Sequence, residues 1–156
     1  MRDEFRARFA QHGVAPERIE LHDRQPFLDY LRLHGAADVV LDPFPYTGGT
    51  TTCHALWMGV PVVTLAGETA SSRGGASLLH AIGLGALVAE TPDEYVDIAA
   101  ALARDAFRLA ELRAGMRNRM AASPVMDAGR FARNLEDAYR TMWVTWCKGG
   151  TRPRPG

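Results

Sequence analysis

The sequence predicts an α/β fold built on a parallel β-sheet. Short apolar runs rich in β-branched residues occur at 38–42, 60–65 and 87–89, which is typical of strands inside a parallel sheet. The apolar residues between these runs recur at helical spacing, and glycines or prolines mark the change from one element to the next. An alternation of strands and helices is typical of the α/β class.

The first part of the chain is predicted to contain two helices and a strand. Apolar residues at helical spacing over 2–12 indicate a short surface helix that ends at Gly13. Residues 18–22 alternate between polar and apolar side chains, as a strand does. A second helix is predicted over 26–34, with a proline in its first turn and Gly35 at its end.

The middle of the chain is predicted to run strand, loop, helix, strand. Residues 38–42 are predicted to form a strand that is buried on both faces of the sheet. Two prolines and two glycines interrupt any regular structure over 43–49, so this segment is a loop. Three threonines then begin a short helix that ends at Gly59, and a buried strand follows over 60–65.

A loop at 67–69 leads into a predicted helix over 72–82, and the strand at 87–89 is the last of the sheet. Arg73 stands at the start of this helix, where a cation is poorly placed for the helix dipole. It therefore meets either a ligand or a buried carboxylate such as Glu68, and we favour the structural pair with a carboxylate.

Three further helices are predicted after the sheet. Thr91 is suited to cap the first of them, and the others are expected over 106–122 and 128–146. Residues 1–147 are predicted to form one domain, and 148–156 a disordered tail rich in Gly, Pro and Arg. The last helix carries an apolar stripe that requires a partner surface: Phe131, Leu135, Ala138, Tyr139, Met142, Trp143 and Trp146.

The composition is that of one ordinary soluble domain. The chain has 156 residues, 47% hydrophobic and 23% charged, and this length suffices to bury about two thirds of the surface. The 18 basic and 18 acidic side chains cancel, which removes the field that would attract nucleic acid or an anionic membrane. Neither is therefore expected as a partner.

Cysteine usage and the N-terminus favour a cytoplasmic location. Cys53 and Cys147 lie in no metal-ligand or disulfide spacing, so no metal site is expected. The sequence contains neither the apolar run of a secretory signal nor one long enough to span a bilayer.

The most informative segment is the Gly-Thr turn, which we define as Gly48, Gly49, Thr50, Thr51 and Thr52. Its glycines let the backbone approach an anion without a Cβ in the way. The first turn of the following helix offers unpaired N–H groups and the positive end of a dipole, and the threonine hydroxyls add further donors. The turn follows a strand at the carboxyl end of the sheet, where ligands bind in open parallel sheets. We therefore expect it to hold a diphosphate.

A simpler interpretation is left open by the same pattern. The two glycines could form only a tight turn, with Thr50 as a helix cap. Neither a Walker motif nor GxGxxG is present, which disfavours an ATPase or a simple dinucleotide enzyme. Cys53, in the first turn of the same helix, is interpreted as a packed small residue rather than a nucleophile.

Three motifs carry a resemblance to a known family. They are Leu-Asp-Pro-Phe-Pro-Tyr-Thr-Gly-Gly-Thr-Thr-Thr at 41–52, Ala-Leu-Trp-Met-Gly-Val-Pro-Val-Val-Thr at 55–64, and Gly-Glu-Thr at 67–69 followed by Ser72-Arg73. In this order they resemble glycosyltransferase family 41, the family of O-linked N-acetylglucosamine (O-GlcNAc) transferases and SPINDLY proteins. The resemblance extends over about residues 5–147 and is of a bacterial type.

The resemblance implies a fold and an activity. Family members have a GT-B fold of two Rossmann-like halves, usually behind tetratricopeptide repeats, and this chain resembles the later part of the C-terminal half. They transfer N-acetylglucosamine or a related sugar from a nucleotide to a protein Ser or Thr, with inversion and without a metal. The expected donor is a UDP-sugar or a GDP-sugar, with no cofactor. The first catalytic lobe and the proposed base have no counterpart here, so no catalytic residue is assigned and the isolated chain is expected to bind rather than catalyse.

The resemblance also places individual residues at the nucleotide. Thr50 and Thr51 fall on positions that contact the diphosphate, with Thr52 beside them at the helix start. Tyr30 stands where a histidine of the animal enzymes stacks on the uracil, and Gln25 where the backbone meets the base.

The resemblance places three further residues at the sugar or the ribose. Two of them, Gly49 and His54, differ from the residue that the relatives carry. Tyr46 and Gly49 fall on positions that line the sugar, although Gly49 replaces a histidine. His54 stands where the family has an aspartate that binds the ribose hydroxyls. A neutral imidazole offers one acceptor and one donor, so ribose recognition is altered.

Two other functions stay open on the sequence alone. The chain could be a truncated, noncatalytic binding or interaction module of the same fold. His54 and the absent first lobe favour this hypothesis. A different GT-B enzyme such as an epimerase is disfavoured, because a Glu would be expected at the ribose position.

Overall fold

The structure is a computed structural model that describes residues 2–149. These residues form two compact units, 2–33 and 34–149. The predicted tail lies outside the described residues from 150 onward. The helices and strands are α1 (Arg2–Gln11), α2 (Phe27–Leu33), β1 (Val40–Leu41), α3 (Thr50–Trp57), β2 (Val62–Leu65), α4 (Gly74–Ala81), β3 (Val88–Ala89), α5 (Pro92–Arg104), α6 (Ala106–Ala121) and α7 (Ala128–Cys147).

The first unit contains both of the helices predicted for it. After α1 the chain turns at Gly13, whose φ of +76° lies in the left-handed region that favours glycine. The rings of Phe5 and Phe9 lie one helical turn apart, with centroids 5.0 Å from each other. An ion pair joins Arg2 of α1 to Asp23.

The strand predicted over 18–22 is wrong. A 3-10 turn occupies Pro16–Arg18, and no strand forms between this turn and α2. Ile19 is extended, with φ −114° and ψ 108°, but the described part of this unit holds no second strand to pair with. An alternating pattern without a partner cannot form a ladder of hydrogen bonds.

The parallel sheet predicted for the α/β fold is confirmed. The three strands lie in the order β1-β2-β3, and both pairs are parallel. The register opposes Val40 to Val62, Leu41 to Val63, Thr64 to Val88, and Leu65 to Ala89. The central strand β2 is buried through its first three residues, which places the core around it.

The predicted burial of the first strand on both faces is wrong. β1 pairs only with β2 in the described residues, and its Leu41 side chain is 56% exposed. The β-branched pattern of 38–42 predicted the strand itself, but a strand at the edge of a sheet has fewer neighbours to cover it.

Helices surround the sheet and complete the core. α4 and α5 pack against β2 and β3, and α6 packs against α3 and α5. The largest fully buried side chains come from these elements and from the segments just before β2 and β3: Leu56, Val60, Pro61, Val62, Val63, Thr64, Leu79, Leu87, Leu102 and Met116.

Two arginines of α6 fix the ends of β1 and α3 away from the Gly-Thr turn. The Arg113 Nη1 atom donates to the carbonyl of Ala37 at 2.6 Å, just before β1. The Arg117 Nε atom donates to the carbonyl of Trp57 at 3.2 Å, and its guanidinium lies 5.3 Å from the centre of the indole ring. These bonds hold β1 and α3 in place from the opposite end.

The C-terminal helices form as predicted. The Thr91 hydroxyl caps α5 by accepting from the Glu94 amide at 3.2 Å. No residue of α7 is buried, and its stripe is exposed throughout, with Tyr139 at 60% and Trp143 at 67%. In the residues that the structure describes, no helix is long and apolar enough to cross a membrane.

Candidate functional site

The Gly-Thr turn lies at the carboxyl end of β1, as the sequence predicted. A loop without regular structure leads from β1 to α3, whose first residue is Thr50. The first bond of the helix runs from the Cys53 amide to the Gly49 carbonyl at 3.0 Å, so the amides of Thr50, Thr51 and Thr52 precede the helical ladder. The side chains of Thr50 and Thr51 are exposed. The beginning of α3 therefore carries amides that lie outside the helical ladder, beside two exposed threonines.

The buried carboxylate of one residue accepts hydrogen bonds from this turn on its interior side. Asp42 directly follows β1 and is only 2% exposed. Its Oδ1 atom accepts from the Gly48 amide at 2.9 Å and from the Thr52 hydroxyl at 3.4 Å. Its Oδ2 atom accepts from the hydroxyl of Thr64, in β2, at 2.8 Å. Asp42 thus connects the sheet to the Gly-Thr turn through neutral donors.

The three threonines of the turn have different surroundings. Thr52 is 2% exposed and directs its hydroxyl to Asp42, whereas Thr50 and Thr51 are exposed. The hydroxyl of Thr52 therefore donates to the interior. Thr50 and Thr51 are exposed residues, although the Thr51 hydroxyl oxygen lies beside Gly48, 2.7 Å from where a Cβ of that glycine would be. The contact predicted between Thr52 and a ligand stays a prediction.

Two glycines allow this close packing around Asp42. A Cβ at Gly48 would lie 2.5 Å from the Thr52 hydroxyl oxygen and 2.9 Å from Asp42 Oδ1. A Cβ at Gly75, in the first turn of α4, would lie 2.2 Å from Asp42 Oδ2 and 2.5 Å from the Thr64 hydroxyl oxygen. Neither position has room for a side chain, so both glycines are steric requirements of the site.

The loop before the turn is tied to the start of α4. The Thr47 amide and hydroxyl donate to the Ser71 carbonyl at 3.3 and 3.1 Å, and the Gly75 amide donates to the Thr47 hydroxyl oxygen at 3.3 Å. Thr47 is buried. The beginnings of α3 and α4 are consequently joined through residues next to Asp42.

Tyr95 of α5 forms a hydrogen bond with the main chain of the same aspartate. Its hydroxyl donates to the main-chain carbonyl of Asp42 at 2.9 Å. Burial, and then the negative charge of Asp42, raise the pKa of the Tyr95 phenol above its ordinary value. The Phe44 ring meets Tyr95 edge to face, with centroids 5.7 Å apart.

The remaining predicted contacts at the turn are placed but not tested. Tyr46 is 76% exposed in the loop, and Gly49 is exposed at the start of α3. His54 lies half-buried in α3, after the Gly-Thr turn. The sugar and ribose roles of these residues stay predictions.

The two residues predicted to meet the base lie in the first unit. Gln25 is exposed in the segment before α2, and Tyr30 lies half-buried within α2. The burial of Tyr30 raises the pKa of its phenol. Their contacts with a base stay predictions.

Of two predictions about side chains near the turn, one is confirmed and the other is wrong. Cys53 packs against the core and burial raises the pKa of its thiol, which confirms it as a packed residue. The predicted pair of Arg73 with a carboxylate such as Glu68 is wrong, because among the described residues Arg73 donates to the Gly67 carbonyl at 2.8 Å. Arg73 precedes the first residue of α4, and there its side chain holds the preceding loop.

No role of its own was predicted for Asp42 from the sequence. The sequence did contain a pattern that indicates such a role. An acidic residue between an apolar strand and a glycine-rich turn is well positioned to accept hydrogen bonds from that turn. Its other partners, Thr64 and Tyr95, lie 22 and 53 residues away along the chain. Local patterns cannot reveal such contacts.

Replacing Gly75 by alanine tests the packing around Asp42. We expect Gly75→Ala to lower the free energy of unfolding by at least about 2 kcal/mol, because the new Cβ overlaps Asp42 and Thr64. Gly115→Ala is the matched control in α6, where no atom lies within 4 Å of the added Cβ, and it should stabilise by about 0.5–1 kcal/mol. Urea unfolding of both variants measures the difference, and equal effects would refute this account of the packing.

The raised pKa of Tyr95 predicts a loss of stability at high pH. The folded chain holds the phenolic proton more tightly than the unfolded chain, whose tyrosine titrates near pH 10. The hydrogen bond to Asp42 is therefore fully present below about pH 10 and is lost as the pH rises through the folded value. In urea unfolding the stability advantage of the wild type over Tyr95→Phe should stay constant up to about pH 10 and shrink as the pH rises further. An advantage that stays constant above about pH 10 as well would contradict this assignment.

Comparison with known proteins gives a consistent result. The sequence model of Glycosyl transferase family 41 matches residues 2–135. A probable UDP-N-acetylglucosamine–peptide N-acetylglucosaminyltransferase SPINDLY of Oryza sativa subsp. japonica is 44% identical over 153 residues, 96% of this chain and 16% of the relative. A UDP-N-acetylglucosamine–peptide N-acetylglucosaminyltransferase of Caenorhabditis elegans is 35% identical over 139 residues, 89% of this chain and 12% of the relative.

A solved structure extends the likeness to three dimensions. A mutant of the O-GlcNAc transferase of Thermobaculum terrenum superposes with a TM-score of 0.86 at 44% identity, over 95% of this chain and 28% of the other. This confirms the predicted likeness to part of a GT-B glycosyltransferase. The chain spans about a sixth of the rice relative and just over a quarter of the solved bacterial chain. On the family match and these relatives, the chain belongs to glycosyl transferase family 41.

Proposed function

We propose that this chain is the part of a family 41 glycosyltransferase that binds the nucleoside diphosphate of the sugar donor. The observation that carries the proposal is the Gly-Thr turn itself, which lies within the family match and presents unpaired donors at a helix start. The exposed hydroxyls of Thr50 and Thr51 and the first amides of α3 are the groups that would meet the diphosphate.

The chemistry of such a site follows from its donors. When the bond between sugar and diphosphate breaks, negative charge grows on the diphosphate oxygens. Amides and hydroxyls already aimed at these oxygens stabilise that charge without having to reorganise. The helix dipole adds to the effect, and in this scheme the donors of the turn take the place of a metal ion.

The donor is proposed to be UDP-N-acetylglucosamine. The rice and worm relatives carry that donor in their names, and the acceptor they name is a peptide. A GDP-sugar is the other donor considered. The proposed reaction transfers the sugar with inversion to a protein Ser or Thr, and the proposed location is the cytoplasm.

Other residues are proposed to complete the recognition. His54 would contact the ribose through one donor and one acceptor, Tyr46 and Gly49 would line the sugar, and Tyr30 and Gln25 would meet the base. The catalytic base, a first lobe and tetratricopeptide repeats are proposed to belong to the part of the relatives that this chain does not span. By itself the chain should bind the donor without transferring the sugar.

Calorimetric titration with UDP and GDP tests the proposal. We expect UDP to bind with a Kd in the micromolar to low millimolar range, and the double variant Thr50→Ala/Thr51→Ala to bind at least about tenfold more weakly, because it lacks two hydroxyl donors. The helix should persist in this variant, since Gly49 precedes α3 and the side chains make no capping bond there.

Thr141→Ala/Thr145→Ala is the matched control, because these exposed threonines bond only to carbonyls of their own helix α7. Its UDP affinity should equal that of the wild type. Undiminished binding by the Thr50→Ala/Thr51→Ala variant would contradict the site. If no chain bound UDP or GDP the proposal would fail, and binding gained by His54→Asp would then favour a noncatalytic module that has lost its ribose contact.

A further inference from the structure

The start of α3 has no side-chain cap, and Asp42 instead bonds to residues on either side of that start. Gly49 precedes the helix and has no side chain to cap it. Asp42 lies before the intervening loop, yet it accepts from the amide of Gly48 on one side of the helix start and from the hydroxyl of Thr52 on the other. The Gly-Thr turn is therefore held at both ends by a single carboxylate oxygen.

The orientation of this carboxylate is itself fixed. Its second oxygen accepts from Thr64 of the central strand at 2.8 Å. The close approach of Gly75 leaves no free space beside the same oxygen, since even one added carbon would lie 2.2 Å from it. The Tyr95 bond holds the main chain of Asp42 at 2.9 Å. With these contacts in place, Oδ1 can face only the Gly-Thr turn.

We infer that Asp42 is a positioning residue for the diphosphate, an inference that rests on the proposed function of the turn. By drawing Thr52 inward and fixing the Gly48 amide, Asp42 sets the turn so that Thr50, Thr51 and the first amides of α3 face the ligand. Asp42 acts through hydrogen-bond acceptance and not through its charge, because a negative charge behind the site repels a diphosphate.

Two substitutions separate acceptance from charge. Asp42→Asn keeps an acceptor oxygen for Gly48 and removes the charge, whereas Asp42→Ala removes both. We expect Asp42→Asn to bind UDP at least as tightly as the wild type, and Asp42→Ala to bind it at least about tenfold more weakly. A role confined to stability would weaken both variants in line with their loss of stability.

Amide hydrogen exchange of the unliganded chain provides the second readout. In Asp42→Ala, exchange should rise selectively across the Gly-Thr turn and the first turn of α3, relative to α6, and Asp42→Asn should restore the wild-type pattern. Ser123→Ala is the control, since it too removes a buried polar side chain, in this case a hydroxyl that donates to the Met120 carbonyl at 2.7 Å at another helix end. It should change neither exchange at the turn nor UDP affinity.

The possible outcomes test the role of Asp42 and the proposed function of the turn separately. The inference is overturned if Asp42→Asn loses as much UDP affinity as Asp42→Ala, or if exchange at the turn does not change in Asp42→Ala. If the wild type does not bind UDP, the proposed function fails and the exchange pattern alone decides whether Asp42 positions the turn. If Asp42→Ala does not fold, Thr52→Val replaces it, with an expected loss of about threefold because one of the two donors to Oδ1 remains.

Discussion

A carboxylate that is removed from water must find hydrogen-bond donors inside the protein, and the carboxyl end of this sheet is organised around one such group. Asp42 is 2% exposed and receives donors from the Gly-Thr turn, from the central strand and, at its main chain, from α5. Leaving any of these donors unmatched in the interior would cost about 1–3 kcal/mol. The position of each element at the carboxyl end of the sheet therefore depends on this residue.

The same requirement explains the glycines of this region. The buried oxygens leave no volume for side chains at Gly48 or Gly75, so the starts of α3 and α4 approach the end of β1 closely. Two helices thus begin beside one carboxylate, and the positive ends of their dipoles favour the negative charge held there. Thr50 and Thr51 stay exposed at the start of α3. The network that stabilises the fold in this way also fixes the exposed start of α3.

Local patterns were sufficient to predict most helices and strands of the chain. Gly13 and Gly59 both have positive φ at the predicted ends of helices, and Thr91 caps α5 as its position suggested. These features depend on a few neighbouring residues, which is why the sequence reveals them. The family resemblance likewise rests on continuous motifs, and the comparisons confirm it.

Features that depend on contacts across the fold could not be predicted in the same way. An alternating pattern at 18–22 suggested a strand, but a strand forms only with a partner. Three adjacent threonines looked equivalent, yet helical geometry and the position of Asp42 turn Thr52 inward. Arg73 bonds to a carbonyl instead of a carboxylate because the preceding loop folds back toward it. Each of these outcomes is decided by residues that are distant in the sequence or by backbone groups that every residue carries.

The central claim is that the Gly-Thr turn held by Asp42 is the binding site for a nucleoside diphosphate. Its most direct test is an amide nuclear magnetic resonance titration of the whole chain with UDP, with uridine as the ligand that lacks phosphate. We expect UDP to shift the amide signals of Gly48, Gly49, Thr50 and Thr51 most strongly, and uridine to leave them nearly unchanged. Shifts centred elsewhere, or equal shifts with uridine, would contradict the claim.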